Sequence, residues 1–378
     1  MAVGKPAATL FPVHNEQRWV MRKSKVTRNF IAITTAMILS FNLTACDPPM
    51  PPEVAAQILE QSYTCEQGLV SASFPAEMSD PALQWIDSLQ YSCVDPLPAM
   101  SLAQAESGTA SDLVISSYPV DAKVCPVNFS IPFAIEAAAV AFQLSDSSSL
   151  QLTPKNLAAV LNGEITNWND PLIAEDNPGT EFPDLAIKVR NVADELALSS
   201  LTNWMASLKQ DISVAGITAQ KDFVLESMEE GEIVIAPNSQ VLNLGLYSVA
   251  LITDIDKETG EQKLAAADNL GVASAASQLV PSKKGSRVDV KLDSSIEPKA
   301  QEGLNEAAQP YQAIYPVFLN SCAEDTLLKH AVALFLLRLD SQGVLAASNY
   351  NPLSERVRFE SLDVARTGLP QPAELPAE

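Results

Sequence analysis

Histidine and the usual nucleophile motifs are nearly missing. The 378-residue chain has two His, His14 and His330, and no GxSxG, HExxH or P-loop pattern. His14 lies ahead of an N-terminal apolar run. His330 sits inside an apolar helical run, where a lone His is expected as a core or interface residue. No catalytic set can be assembled from these, and the chain is expected not to be an enzyme. Basic residues are also few: 24 Lys and Arg stand against 46 Asp and Glu, a net charge of −22. That balance argues against nucleic acid and against anionic lipid as broad surface partners, and its simplest use is solubility. No two Cys stand in a CxxC spacing, so no zinc site is expected, and no motif calls for another metal or a cofactor. Internal repeats are absent. What the chain does have is apolar residues, 47% of the total, and a length suited to two ordinary domains. Such a composition excludes global disorder.

The charges are unevenly placed. Residues 1–45 hold six bases and one acid; the remainder holds 18 bases and 45 acids, a net charge of −27. The basic cluster Arg22, Lys23, Lys25 and Arg28 precedes "FIAITTAMILSFNLTAC". A basic region, a short apolar run and small residues, in that order, describe a signal peptide. Residues 30–43 are too few for a comfortable membrane span. The ending "LTAC" resembles a bacterial lipobox, which implies that Cys46 is lipidated and becomes the mature N-terminus. An ordinary signal peptide with a Cys beside its cut is the alternative. Asp47 resembles an inner-membrane retention signal of two-membrane cells, and in a one-membrane cell only the outer leaflet is available. Either route puts the chain on the external face of the plasma membrane, anchored there by lipid alone. Residues 1–20 fit no signal pattern, so Met21 is an alternative start.

"DPPMPPE" after Cys46 reads as a stiff, extended stalk over residues 46–53, and "GLPQPAELPAE" as a disordered tail over 368–378. Four further Cys remain: Cys65, Cys93, Cys125 and Cys322. An even number in an exported chain points to disulfides, with three pairings open.

Between stalk and tail, apolar runs predict buried strands at "YTCEQGLVSASF", "DLVISSYPV", "VNFSIPFAI", "AAAVAF", "EIVIAP", "YSVALI" and "AIYPVFL". Helices are expected at "PALQWIDSLQ", "TPKNLAAVLN", "ALSSLTNWMASL" and "QKDFVLESMEE", and as one long run over residues 324–347. Such alternation indicates an α/β fold with largely parallel sheets.

The most distinctive stretch is "LNGEITNWNDPLIAEDNPG", residues 161–179. Local chemistry accounts for it. Thr153 can cap a helix that has Pro154 at its first position, and Gly163 can end it. "NDP" starts another helical turn that closes near "NPG". Trp168 is expected as a packing anchor rather than a stacking platform.

That stretch, extended to "LTPKNLAAVLNGEITNWNDPLIAEDNPGTEFPDLAIKVR", closely resembles a segment of phosphate ABC transporter substrate-binding proteins. Weaker likeness covers "SASFPAEMSDPALQWIDSL", "VNFSIPFAIEAAAVAF", "GEIVIAPNSQVLNLGLYSVAL", "AIYPVFLNSCAED" and "SQGVLAASNYNPLSERVR". The resemblance implies an α/β, two-lobed periplasmic-binding-protein-like fold of type II, with mixed sheets, flanking helices and crossing strands as the hinge. Lobe I would take residues 54–138 and 312–367, and lobe II residues 139–311. The chain would clamp a small-molecule ligand between the lobes and serve an ABC transporter permease. On that plan Cys65 pairs with Cys93 in neighbouring strands, and Cys125 with Cys322 beside the lobe crossings.

Phosphate capture needs backbone amides at helix N-termini, an Arg, and an acceptor for the phosphate proton. The family supplies them with a pattern like R-[SA]-D-G-S-G-T. Here the matching place reads "VRNVADELALSSLTNW". Arg190 matches the family Arg, but Asp194 and Glu195 stand where Gly and Ser belong, and no Gly lies between Arg190 and Gly216. Each carboxylate 4 Å from a bound anion would cost roughly 4 kcal/mol at an effective dielectric of 20. Arg190 is expected to pair with Asp194 or Glu195 instead. Ser73 and Phe74 match the family's first loop, and Ser117 falls where the family has its proton-accepting Asp. Ser73 and Ser117 also suit plain turn or cap roles. Three functions stay open: a solute-binding lipoprotein with most of its phosphate loop lost, an extracellular adaptor or sensor for a protein partner, and ordinary phosphate uptake.

Overall fold

The computed structural model describes residues 66–92, 98–102, 111–190, 194–213, 224–300, 304 and 306–369. All of them belong to one unit, Glu53–Ala377. The leader, Cys46, the stalk, the Cys65–Cys93 pair and residues 370–378 lie outside the described residues.

One strand organises the rest. The expected strands "VNFSIPFAI" and "AAAVAF" are a single 16-residue strand, Val127–Phe142, buried along nearly its whole length. A strand covered on both faces needs no polar alternation, and this one has none. In chain order the strands are β1 Gly68–Ser73, β2 Pro98–Leu102, β3 Leu113–Ser116, β4 Val127–Phe142, β5 Gln151–Leu152, β6 Lys188–Val189, β7 Glu232–Pro237, β8 Tyr247–Ser248, β9 Ala250–Ile255, β10 Gln262–Ala265, β11 Leu279–Lys284, β12 Arg287–Leu292 and β13 Ile314–Cys322. The helices are α1 Ser79–Ser92, α2 Pro154–Leu161, α3 Pro171–Asp176, α4 Glu195–Ser207, α5 Asn238–Asn243, α6 Asn269–Ala276, α7 Leu327–Leu336, α8 Leu339–Gly343 and α9 Glu355–Ala365.

Strand β4 carries two sets of neighbours. Its first part, Val127 to Ala137, runs antiparallel to β13, which in turn pairs β3. Parallel pairing then adds β1 to β3 and β2 to β1, while β12 joins beside Ser130. Its last part, Ala138 to Phe142, runs antiparallel to β7 and touches β8, and β6 lies parallel to β7. Strands β10, β9 and β5 form a separate sheet. Antiparallel and parallel ladders are thus mixed, as the resemblance implied, where the alternation of elements alone suggested largely parallel sheets. The cause is β4: crossing between two strand sets, it meets β13, β7 and β8 as they return.

Helix α1 buries Ala82, Trp85 and Leu89 with Met78 before it, a spacing of three and four that makes one apolar face. The indole N–H of Trp85 donates to the Ser341 carbonyl at 2.9 Å. Two helical expectations need correction. Of "QKDFVLESMEE", the described part forms only a 3-10 turn, Leu225–Ser227. The run over residues 324–347 is not one helix. It breaks at Arg338, whose backbone is extended (φ −62°, ψ 152°), and resumes with a bend of 56°. Packing sets that break. Gln342 donates its side-chain amide to the Phe133 carbonyl at 3.0 Å, and Ser341 receives Trp85. Among the described residues no single helix is long and apolar enough to cross a membrane.

Candidate functional site

The stretch over residues 161–179 is scaffold. Thr153 caps α2 by accepting from the Asn156 amide at 3.3 Å, with Pro154 at the first position. Gly163 follows at φ +74°, a conformation only Gly adopts without strain. Asp170 caps α3 and accepts from Leu172 at 2.9 Å. Trp168 is fully buried, and its ring N–H donates to the Gly231 carbonyl at 3.1 Å. An indole this deep needs a partner for its N–H, and it has one. The role is packing, as its chemistry suggested.

The residues singled out for ligand contact separate into two groups. Ser73 ends β1 opposite Val114 of β3, and Phe74 packs on Trp85 with ring centroids 5.5 Å apart. These two build the wall of the first strand set. Ser117 and Tyr118 follow β3 and line a cavity of about 290 Å³ with Ser130, Arg287 and Asn320. Among them Asn320 and Ser130 already bond each other at 2.8 Å.

Arg190 does not pair with Asp194 or Glu195. Its guanidinium lies 3.3 Å from the carboxylate of Glu232 and 3.3 Å from the Ser227 hydroxyl. The geometry of the sheet decides this. Arg190 leaves β6 beside β7, where Glu232 starts, and its backbone amide donates to Ile233 at 2.8 Å. Glu232 is buried, so its charge has the stronger claim on the nearest cation. Asp194 serves α4 instead: its carboxylate accepts from the Ala197 amide at 2.8 Å as the N-cap. Glu195 is exposed in the first turn, where an acid suits the helix dipole.

The other Asp194 oxygen accepts the phenol of Tyr118 at 2.5 Å, 76 positions away in sequence. Burial, then the bond and charge of Asp194, push this phenol up to about 12, while the nearby amides of Leu196 and Glu195 act in the opposite sense. One donor at the start of α4, the Ala197 amide, is therefore taken by a group of the chain itself.

Deeper in, Glu136 is the one carboxylate within β4 and is 2% exposed. It accepts from the Ala137 amide at 2.8 Å, from the Ser239 amide at 3.3 Å and from the Ser239 hydroxyl. Burial raises its carboxyl to about 8 against those three bonds, and Glu77 adds to the rise. Tyr315 and Tyr350 are buried close by. Burial lifts both phenols, and Glu136 and Asp194 lift them further. The charges acting on this cluster are acidic, not basic. Among the described residues no three His, Cys, Asp or Glu side chains converge to hold a metal ion.

Sequence reasoning missed Tyr118, Glu136, Ser239, Tyr315 and Tyr350. A signal existed for Glu136, a single acid inside the apolar run "FSIPFAIEAAAVAF". Tyr118 stood beside Ser117 with no feature of its own. His330 is buried where a core residue was expected, its ring nitrogens 3.0 Å from the Ala365 carbonyl and 3.1 Å from Asp325. Cys125 and Cys322 form a disulfide, the pairing expected for them.

Residues 99–319 match the family model of the PBP superfamily domain. Among solved structures, the chain is similar to a putative phosphate ABC transporter substrate-binding protein with bound phosphate from Clostridium perfringens. That pair is 13% identical, covering 76% of this chain and 100% of the other, with a TM-score of 0.45. A possible phosphate binding protein from Planctomyces limnophilus is 14% identical over 81% of this chain and 100% of its own, with a TM-score of 0.36. An ABC-type phosphate transport receptor from Vibrio cholerae is 12% identical over 75% and 99%, with a TM-score of 0.39.

Proposed function

The chain belongs to the PBP superfamily, and on that premise we propose that it is an extracytoplasmic solute-binding lipoprotein whose solute is not free phosphate. On this reading Cys46 carries the lipid that holds the protein at the external face of the plasma membrane, and an ABC transporter permease receives the solute. The observation that carries the reading is at the start of α4. Asp194 caps the helix and takes the Tyr118 phenol, while Arg190 is committed to Glu232. A phosphate there would meet a carboxylate at contact distance, and the family-matching Arg190 is already paired with Glu232. Cationic or neutral polar solutes meet no such penalty.

A thermal-shift and calorimetric screen of the mature chain tests this. Polyamines, amino sugars, neutral sugars and inorganic phosphate form the panel. A solute that binds the folded state raises Tm by mass action. Stabilisation by a cationic or neutral member supports the reading, and micromolar phosphate binding overturns it in favour of phosphate uptake.

A second reading, an adaptor or sensor for a protein partner, is favoured by one feature: a side chain of the chain itself already fills the start of α4. A pull-down from membranes that recovers only permease subunits rejects it.

A further inference from the structure

Besides the Ser239–Glu136 pair, three side-chain pairs among the described residues join elements on the first strand set to elements on the second. Glu77, in the 3-10 turn after β1, accepts from Gln240 of α5 at 2.9 Å. Asn349, following a 3-10 turn after α8, donates to Asn243 at the end of α5 at 2.6 Å. Tyr118, in the loop after β3, donates to Asp194 of α4 at 2.5 Å. The first two converge on α5. The third stands apart, on α4, and it alone includes a ring that is 42% exposed and forms the wall of a cavity.

Local structure aims this ring. The Ser116 hydroxyl accepts from the Tyr118 amide at 3.0 Å, which tightens the turn. Pro119 follows and disfavours a helical backbone at Tyr118. Helix α4 is seated where β13 begins, at the junction of the two sets: Ser200 donates to the carbonyl of Ile314, the residue opposite Ala137, at 2.9 Å, and Trp204 meets Tyr311 edge-on at 4.7 Å between ring centroids. A short, charge-assisted and exposed bond therefore joins a stiff turn to a fixed helix. Such bonds are about twice as strong as neutral ones.

We propose that the Tyr118–Asp194 hydrogen bond is an autoinhibitory latch: it holds the two strand sets closed on each other with no solute present, and a solute enters by displacing the phenol. The proposal rests on the solute-binding reading above, but its test needs no solute. A neutral phenol suits the latch, because its hydroxyl donates to Asp194. Tyr118→Phe removes the hydroxyl and leaves the packing. Asp194→Asn keeps an N-cap and an acceptor for the phenol.

The experiment is a spin-label distance measurement on the mature, disulfide-intact chain. Labels introduced as unnatural amino acids replace Leu83 on α1 and Leu172 on α3, both exposed. The unsubstituted latch is expected to give one narrow distance distribution. Tyr118→Phe is expected to add a second, longer population, and Asp194→Asn to stay close to the parent. An unchanged distance distribution in Tyr118→Phe overturns the latch. A parent chain that is already broadly open overturns it too. A failed solute screen with a positive label result sinks the solute-binding reading alone.

Discussion

Ser239 reaches Glu136 twice, through its backbone amide at 3.3 Å and through its hydroxyl, and thereby ties α5 to the strand that links the two strand sets. The carboxyl is buried and raised from 4.5 to about 8. Its ionisation is thus coupled to folding. Below about pH 4.5 both folded and unfolded chains carry the proton, and stability is unaffected. Between about 4.5 and 8 the unfolded chain loses the proton while the folded chain keeps it, so stability falls as pH rises. Above about 8 the loss is complete. The slope approaches about 1.4 kcal/mol per pH unit within the window. Glu136→Gln keeps the shape and removes the proton equilibrium. Urea unfolding at pH 5, 7 and 9 should show the variant gaining on the parent with each step, by about a few kcal/mol in total. Parallel pH profiles would sink this account.

Arg190→Ala should act on stability. Among the described residues it leaves the buried Glu232 carboxylate with only the Glu229 amide, which donates at 2.8 Å. The Arg side chain is 34% exposed, so water takes up part of the cost. A loss of about 1–2 kcal/mol is expected. Denaturant melts read the loss. Calorimetry with whichever solute the screen identifies should give an affinity within about twofold of the parent. A stability change near zero with a large affinity change would put Arg190 in the binding site.

Trp168 tests the scaffold role of its stretch. Trp168→Ala should cost about 3–5 kcal/mol, because a fully buried ring leaves a cavity and the Gly231 carbonyl loses its donor. Trp168→Phe should cost less, since it fills most of the space and loses only the hydrogen bond. Thermal melts of both variants check the order. A Trp168→Ala variant as stable as the parent would show that the ring is dispensable to packing.

The Cys125–Cys322 bridge spans 197 positions. Replacing both with Ser should lower stability by about 2–4 kcal/mol, mostly by freeing the unfolded chain. Non-reducing peptide mapping of the purified chain should recover the two in one fragment pair. Any other partner for Cys322 contradicts the fold described above.

Local chemistry was legible in the amino-acid sequence. The caps at Thr153 and Asp170, the positive-φ Gly163 and the buried Trp168 lie where turn and capping rules put them, because each rule involves residues within about four positions. Most strands followed from apolar runs for a similar reason. The run at 324–347 failed that test: its pattern is helical, but Trp85 and Phe133 hold Ser341 and Gln342 in a new direction.

What the sequence determined, then, is which segments form elements, the family they assemble into, and one correct disulfide. Which charges and hydroxyls meet was decided by the tertiary structure alone. Arg190 finds Glu232 across 42 positions, Tyr118 finds Asp194 across 76, and Glu136 finds Ser239 across 103. Each pairing depends on strand register and on how helices seat against β4, and a carboxylate in a linear chain carries no mark of the neighbour that register will bring to it.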